Sequence, residues 1–243
     1  MMDISIIIPA YNESKKIGLD IEAAFMFLTN NNLSGEIIVV DDGSIDGTSI
    51  TAKKAAAGLP ENIEAKILSY NEHKGKGYAV RTGIINSKGS YVMYADSGRC
   101  VPFDYILKGL DLLKGGDCVI AHGSRKLSSS RILKKQSAYR RFLSMVFHRL
   151  VICCFGIPSE LTDTQCGFKI YSGNIARQLY EKCVTNGFMF DIEIILRALK
   201  KGYTIKEFAI EWSCDRDSRL SPGKNLLNIF SELRAIKKAA GKL

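Results

Sequence analysis

SIIIPAYNE (Ser5–Glu13) and EIIVVDDGSIDGT (Glu36–Thr48) are the two stretches that decide the fold. Each begins with an unbroken run of mostly β-branched residues, which is typical of a strand buried on both faces, and continues into a polar loop. A helical pattern follows each loop, at residues 14–31, with Ser14 as the expected N-cap, and at residues 48–57. Two such units in succession predict parallel strands joined by crossover helices.

The same alternation continues along the first half of the chain and then changes. Up to residue 121 the pattern predicts three further strands and two helices: strands 65–69, 91–95 and 117–121, and helices 77–86 and 102–113. A basic, serine-rich loop at 128–130 then interrupts the alternation. Beyond it we expect four helices and two strands: helices at 136–155, from Ser172, at 190–201 and at 226–240, and strands at 167–171 and 205–212.

The composition is that of a globular protein whose charge is unevenly distributed. The 243 residues carry 34 basic and 25 acidic side chains, a net charge of +9, and 46% are hydrophobic, which excludes a disordered or low-complexity chain. Residues 118–159 contain no acidic side chain but eight basic ones. A block of this kind indicates phosphate, nucleic acid or an anionic membrane surface as a partner.

Neither a secretory signal nor a spanning helix is expected. The most apolar stretch, residues 142–157, is interrupted by His148 and Arg149, short of the roughly 18 apolar residues that a spanning helix needs. The seven cysteines are scattered and form no CxxC pair, which favours a reducing cytosol over a disulfide or zinc framework.

Polar residues follow four of the predicted strands, where an open parallel sheet binds its ligands. Pro9–Glu13 presents an aromatic ring beside a carboxylate, which suits a nucleoside, and Asp41 and Asp42 can accept hydrogen bonds from a base. Lys76 lies between two glycines ahead of a helix, which suits a phosphate, and Asp96 suits a divalent metal that bridges a diphosphate. Because GxxxxGK[ST] and GxGxxG are both absent, a P-loop NTPase and an NAD enzyme are disfavoured.

In this order and spacing, SIIIPAYNE, EIIVVDDGSIDGT, the NxxxGKG segment and the YAD segment resemble the family 2 glycosyltransferases. DTQCGFK (Asp163–Lys169) is similar to the polyprenyl-phosphate branch of that family, and within it to dolichyl-phosphate β-glucosyltransferases. The resemblance covers nearly the whole chain and implies the GT-A fold, a Rossmann-like α/β domain with a mixed, mainly parallel sheet flanked by helices. This single domain is expected over residues 1–243, with a nucleotide-binding half at 1–121 and an acceptor-side half at 122–243.

The resemblance also implies a set of nucleotide-binding residues: Pro9, Ala10, Tyr11, Glu13, Asp41, Asp42, Lys76 and Asp96. Asp96 matches the second aspartate of the family's DxD metal motif, whereas Tyr94 stands at the first position. Binding of Mg²⁺ or Mn²⁺ then depends on Asp96 with the donor diphosphate and water, or on another carboxylate such as Asp163 or Asp191.

A second implied set lies at the reacting end of the site. Its arginines match positions that meet the acceptor phosphate or the donor diphosphate, and its other members match residues near the transferred sugar: Arg125, Arg131, Arg140, Arg219, Asp163 and Gln165. Arg219 belongs to a Ser-Arg pair that resembles a C-terminal pair closing over the phosphates.

The implied activity is inverting transfer of a hexose, glucose from UDP-glucose, to a polyprenyl or dolichyl phosphate. The chain is then expected to be cytoplasmic and peripheral on the cytosolic face of a membrane, which it contacts through the basic, apolar-faced helix at 136–155. A phosphate acceptor is already anionic, so it needs no strong general base. Nucleic acid is not an expected partner, because the basic block lacks interleaved exposed aromatics.

Two alternatives stay open at this stage. The same fold could act on a glycan or soluble acceptor in cell-surface polysaccharide synthesis, in which case Asp163 is the candidate general base. Tyr94 in the metal motif also leaves open a catalytically silent homologue that only binds nucleotide sugar.

Overall fold

The computed structural model describes residues 2–60, 63–134, 145–146, 149, 151–152, 154–214 and 226–240. The strands within these residues are β1 (Ile4–Ala10), β2 (Gly35–Asp41), β3 (Glu64–Ser69), β4 (Tyr91–Ala95), β5 (Ile120–Ser124), β6 (Arg131–Lys134), β7 (Phe168–Ser172), β8 (Ile205–Ala209) and β9 (Glu211–Ser213). The helices are α1 (Ile17–Asn30), α2 (Thr48–Ala57), α3 (Lys76–Ile85), α4 (Tyr105–Lys114), α5 (Gly173–Glu181), α6 (Phe190–Lys200) and α7 (Leu226–Ala240).

Seven strands form one sheet in the order β3-β2-β1-β4-β7-β5-β8. Neighbouring strands run parallel except at β7, which is antiparallel to both β4 and β5. Because β7 is reversed, its amino end lies at the same side of the sheet as the carboxyl ends of β4 and β5. The residues that precede β7 therefore meet the loops that follow the other strands, and we call this side the site edge.

Two apolar layers cover the two faces of the sheet. On β1, Ile6 and Ile8 pack into one layer and Ile7 into the other, since successive side chains of a strand point to opposite faces. Helices α1, α2 and α4 contribute to the first layer, and α3, α5 and α6 to the second. The predicted mixed, mainly parallel sheet with flanking helices is confirmed.

Two predicted strands were wrong in their bounds, and one strand was not predicted. Strand β5 begins at Ile120 rather than at residue 117, because residue 117 still belongs to the turn after α4, with its amide bonded to the carbonyl of Leu112. The strand predicted at 205–212 divides after Ala209, and its second part, β9, leaves the main sheet to pair with β6. Strand β6 was not predicted, because its four residues are largely exposed and gain a partner only through β9.

Helix α1 also starts later than predicted. Lys16, not Ser14, occupies the N-cap position, and no side chain caps the helix. The Ser14 amide instead donates to the Asp46 carboxylate at 3.1 Å, which ties this turn to the loop after β2. The helix predicted at 136–155 lies largely outside the described residues.

Candidate functional site

The loops that follow β1 and β2 are joined by hydrogen bonds between side chains and backbone. The Ser44 hydroxyl accepts from the Asn12 amide at 2.7 Å, and the Asn12 side chain accepts from the Ile45 amide at 2.9 Å. The Thr48 hydroxyl accepts from the Glu13 amide at 2.8 Å. Much of the polar content of the DDGSIDGT segment therefore holds the PAYNE loop in place.

Asp42 joins the loop after β2 to the start of α3. Its buried carboxylate accepts hydrogen bonds from the amides of Lys74 at 2.8 Å and Gly75 at 2.9 Å, and lies 2.8 Å from Nδ1 of His73. The His73 ring stacks on Tyr11, with ring centroids 4.0 Å apart and planes 24° from parallel. This pair forms an aromatic surface of the kind on which a flat base can stack.

The turn after β2 depends on Asp41 and Gly43. The Asp41 carboxylate accepts from the Ser44 amide at 3.1 Å, so it stabilises its own turn. Gly43 has a positive φ of 71°, and a Cβ there would lie 2.5 Å from the carbonyl carbon of Glu72. The two loops can touch only because residue 43 has no side chain.

Asp96 follows β4 directly and forms an ion pair with Lys76, the first residue of α3, at 2.5 Å. The Asp96 amide donates to the Gly167 carbonyl at 2.9 Å, and a Cβ on Gly167 would lie 2.1 Å from the Asp96 carboxylate. Burial would lower the pKa of Lys76, but the carboxylates of Asp96 and Asp191 raise it, so the ammonium stays charged at neutral pH. A cation and an anion thus lie side by side at the site edge.

Tyr94 lies beneath the site edge and is not exposed at its surface. It is fully buried, and its hydroxyl donates to the Asp191 carboxylate. Burial, followed by the charge of Asp191, raises the pKa of Tyr94 far above its ordinary value, so the phenol stays protonated. This position of the metal motif has therefore become part of the core.

Asp191 is neutralised by a lysine to which no role was assigned from the sequence. Lys169 on β7 is 1% exposed, and its ammonium donates to Asp191 at 2.7 Å, to the Cys166 carbonyl at 2.8 Å and to the Tyr94 hydroxyl at 3.1 Å. With its charge held in this buried pair, Asp191 is unsuited to bind a metal at the site edge. The signal for the pair was present in the sequence, because a lysine within the apolar strand FKIYS needs a buried acidic partner.

Arg125 binds both carboxylate oxygens of Asp163. The guanidinium donates to the two oxygens at 2.7 Å each, and the Arg125 amide adds a third bond at 2.9 Å. Burial would raise the pKa of Asp163, but the Arg125 guanidinium lowers it to about 2. A carboxylate with so low a pKa is a weak base, so the geometry disfavours Asp163 both as a general base and as a metal ligand.

This ion pair predicts an acid-labile contribution to stability. The folded-state pKa of Asp163, about 2, lies below the ordinary 3.8, so the stabilisation is complete above pH about 4 and is lost as the pH falls through about 2. The shift corresponds to about 2 kcal/mol. Urea unfolding at stepped pH should show Asp163→Asn losing about 2 kcal/mol less than the wild type between neutral pH and pH about 2. Identical pH profiles would contradict the assignment.

The other predicted residues are placed as follows. Pro9 and Ala10 end β1, Glu13 pairs with Lys16 at 3.6 Å, Arg131 is exposed on β6, and Gln165 is half-buried in the turn before β7. Arg140 and Arg219 lie outside the described residues. The site edge thus brings together the loops after β1, β2, β4 and β5 with the turn before β7.

The donor atoms at Asp96 fit a divalent cation that is shared with a substrate. Across the described ranges, no three His, Cys, Asp or Glu side chains come together as a metal site. Asp96 offers one hard oxygen donor, and Mg²⁺ commonly takes one or two carboxylates while phosphates and water complete its shell. This arrangement suits a cation that is bound together with a diphosphate, since Asp96 alone cannot supply a full set of ligands.

The described helices include none with the length and apolar character required to cross a bilayer.

Residues 5–179, which contain the loops described above, match the sequence profile of Glycosyl transferase family 2. The chain belongs to this family. It is a nucleotide-sugar glycosyltransferase, and the predicted family and enzyme class are confirmed.

Curated relatives of this glycosyltransferase include dolichyl-phosphate beta-glucosyltransferases. Dolichyl-phosphate beta-glucosyltransferase of Saccharomyces cerevisiae is 32% identical over 250 residues, covering 97% of this chain and 74% of the relative. The protein of the same name from Homo sapiens is 31% identical over 246 residues, covering 96% and 74%. The resemblance found in the sequence is therefore confirmed over nearly the whole chain.

Solved structures support the GT-A fold of this glycosyltransferase. Glucosyl-3-phosphoglycerate synthase from Mycobacterium tuberculosis, in complex with Mn²⁺, UDP-glucose and phosphoglyceric acid, superposes with a TM-score of 0.71 at 17% identity, covering 97% of this chain and 79% of that one. Mannosyl-3-phosphoglycerate synthase from Rubrobacter xylanophilus gives 0.68 at 15% identity, with 100% and 76% covered. At such identities the likeness concerns the fold alone.

Proposed function

We propose that this glycosyltransferase moves glucose from UDP-glucose to a polyprenyl phosphate such as dolichyl phosphate, with inversion at the anomeric carbon. The names of the curated relatives support glucose as the transferred sugar and dolichyl phosphate as the acceptor. The observation that carries the proposal is the state of Asp163, whose two oxygens are held by Arg125. An acceptor hydroxyl would need a base there, whereas an acceptor phosphate brings its own negative charge.

The reaction is a single displacement. An oxygen of the acceptor phosphate attacks the anomeric carbon, and the bond from that carbon to the β-phosphate oxygen breaks, so that UDP leaves with the electron pair. Lys76 neutralises charge that develops on the leaving diphosphate, and Arg125, oriented by Asp163, holds the acceptor phosphate. A divalent cation held by Asp96 would, when bound, add positive charge beside the same diphosphate.

The donor nucleoside is assigned to the loops after β1 and β2. The stacked rings of Tyr11 and His73 suit the uracil face, and the Asp42 carboxylate lies against the His73 ring. Glu13, in the same loop as Tyr11, is assigned to the ribose hydroxyls. Hydrogen bonds within the protein join the two loops, so little ordering is needed on binding.

Peripheral binding to the cytosolic face of a membrane is part of the proposal. Leu133 on β6 is 66% exposed, and Met145 and Val146 are each 45% exposed. Arg131 and Lys134 lie on the same strand as Leu133 and are exposed. Exposed apolar residues next to basic ones favour the surface of an anionic bilayer, where a lipid acceptor resides.

The direct test is an assay of the purified protein with labelled UDP-glucose, Mg²⁺ or Mn²⁺, and dolichyl phosphate. Label is expected in an organic-extractable glucolipid, and dolichol, which lacks the phosphate, should give none. Failure to form a glycolipid with UDP-glucose or any of several other nucleotide sugars would overturn the proposal. Equal transfer to dolichol would favour a hydroxyl acceptor.

Arg131 provides a charge-matched test of the acceptor site. Arg131→Gln is expected to raise the apparent KM for dolichyl phosphate by about tenfold, because a bidentate contact to phosphate is lost, with little effect on the KM for UDP-glucose. Lys53→Gln on α2 removes the same charge from an exposed position outside the proposed membrane surface and should change the acceptor KM by less than about twofold. If the two substitutions raise the KM for dolichyl phosphate equally, Arg131 contributes only its surface charge and does not contact the phosphate.

A further inference from the structure

Asp20 is a buried carboxylate that takes no part in the mechanism described above. It lies in the first turn of α1 and is 2% exposed. Its oxygens accept hydrogen bonds from the Ser97 hydroxyl at 2.6 Å and from the amides of Gly98 and Arg99 at 3.1 Å each. These three donors are consecutive residues that come directly after Asp96. Asp20 therefore binds the turn that follows the carboxylate assigned to the diphosphate.

The turn after Asp96 has an unusual backbone. Gly98 and Arg99 are both left-handed, with φ of 98° and 50°. Successive amides in such a turn can point together and form a concave binding place for an anion, which Asp20 occupies here. A left-handed backbone is unfavourable for arginine, so the bonds to Asp20 help to maintain it. Strain of this kind is typical of functional sites, and it lies three residues from Asp96.

The burial of Asp20 makes the carboxylate and the turn depend on each other. Burial raises the pKa of Asp20 above its ordinary value, and the hydrogen bonds from the turn offset only part of this rise. A buried anion is costly unless donors satisfy it, and this turn supplies the donors. The turn in turn has no freedom to shift without leaving the carboxylate unsatisfied.

We infer that Asp20 is a positioning residue for Asp96, because it fixes the turn by which the chain leaves that residue. The backbone of Asp96 is held on its other side, where its amide donates to the Gly167 carbonyl at 2.9 Å. With the chain fixed on both sides, the Asp96 carboxylate is kept beside Lys76. The inference rests on the proposed function, since it takes Asp96 to hold a divalent cation beside the donor diphosphate.

Asp20 also joins two parts of the donor site. Helix α1 begins at Ile17, shortly after the loop that carries Tyr11 and Glu13. Through Asp20 this helix is bonded to the turn after Asp96. Because UDP must reach from that loop to Asp96, the contact holds the two ends of its binding site at a constant separation. A change at Asp20 is therefore expected to weaken binding at the diphosphate end more than at the nucleoside end.

Calorimetry of UDP with and without Mn²⁺ tests the inference without an acceptor. In the wild type, Mn²⁺ is expected to lower the Kd for UDP, because Asp96 and the diphosphate can share it. Asp20→Asn keeps the shape of the side chain and should raise the Kd measured with Mn²⁺ about tenfold, while the Kd without Mn²⁺ stays within about twofold. In an Asp96→Asn background, Asp20→Asn should have no further effect, since it acts through Asp96.

Glu36→Gln is the matched control for the loss of a buried charge. Glu36 is fully buried at the edge of the sheet opposite the site edge. Like Asp20, it accepts from a serine hydroxyl and a backbone amide, those of Ser5 at 2.7 Å and Lys88 at 2.6 Å, and it also pairs with Lys66. Glu36→Gln should lower the free energy of unfolding but leave both Kd values within about twofold of the wild type.

Ser97→Ala gives a second readout if Asp20→Asn does not fold. It removes the shortest of the three bonds and leaves the carboxylate in place, so the Kd with Mn²⁺ should rise about threefold and the Kd without Mn²⁺ should not change. An unchanged Kd with Mn²⁺ in both variants would overturn the inference. So would equal losses with and without Mn²⁺, a further loss in the Asp96→Asn background, or a wild type whose UDP binding ignores Mn²⁺.

These outcomes separate the inference from the proposed function. If UDP binding follows the expected pattern but the wild type forms no glycolipid, the role of Asp20 stands and the proposed acceptor is wrong. If the wild type forms the glycolipid and Asp20→Asn binds UDP with Mn²⁺ as tightly as the wild type, the proposed function stands and the role of Asp20 is wrong.

Discussion

Replacing Gly167 with alanine is expected to lower kcat for glucose transfer by about 100-fold, with little change in the free energy of unfolding. The added methyl group would lie 2.1 Å from the Asp96 carboxylate. That carboxylate is the end of a flexible side chain, so it can swing aside at small cost to the fold. It would then leave Lys76, to which it is bonded at 2.5 Å, and the position assigned to the diphosphate.

The measurement pairs steady-state kinetics with urea unfolding of the same preparation. Gly18→Ala on α1 serves as the matched control, because the nearest atom to its Cβ, in Thr51, is 3.8 Å away. The control should keep wild-type activity. If Gly167→Ala keeps the wild-type kcat, Asp96 has no role in transfer. If the free energy of unfolding falls sharply, the loss of activity comes from the damaged fold and not from the displaced carboxylate.

Lys169→Met is expected to lower the free energy of unfolding by about 3–5 kcal/mol. Lys169 and Asp191 are 1% and 3% exposed at their side chains and lie 2.7 Å apart. Methionine fills much of the same volume but removes the only ammonium that the structure describes in contact with the buried Asp191 carboxylate. The penalty for burying an unpaired charge is larger than the net benefit that such a pair provides.

Two further variants identify the cause of this loss. Lys169→Met combined with Asp191→Asn should recover much of the stability, because no unpaired charge then remains. Lys88→Met removes one partner of an exposed pair with Glu64 and should cost less than about 0.5 kcal/mol. If Lys169→Met and the double variant are equally unstable, lost packing rather than charge is responsible.

Hydrophobic patterning predicted most elements, and it placed both ends of α2, β4 and α7 correctly. The direction of β7 could not be read in this way, because a buried strand has the same pattern whether its neighbours run parallel or antiparallel. Strand β6 also escaped prediction, since it exists only through pairing with β9, about 80 residues further along the chain. Such pairings depend on tertiary structure rather than on local sequence.

The site was predictable as a set of loops but not as a set of contacts. The sequence indicated that Asp41, Asp42 and Asp96 end strands, and the structure places all three there. It did not indicate that Asp42 would bond to the Lys74 and Gly75 amides, or that Arg125 would bind both oxygens of Asp163. These contacts join residues more than 30 positions apart, and only the packed sheet brings them together.

The reversed strand β7 also governs when the site can form during synthesis. Strands β1 to β5 leave the ribosome first, yet β4 and β5 are not neighbours and must wait for β7 to fill the gap between them. Until then both strands expose unpaired backbone along apolar segments, the kind of edge that promotes aggregation. Closing that gap requires a long-range contact, which slows folding. The gap between β4 and β5 closes when DTQCGFK and the rest of β7 arrive, which also completes the site edge, whereas the outer edge of β5 stays unpaired until β8 follows.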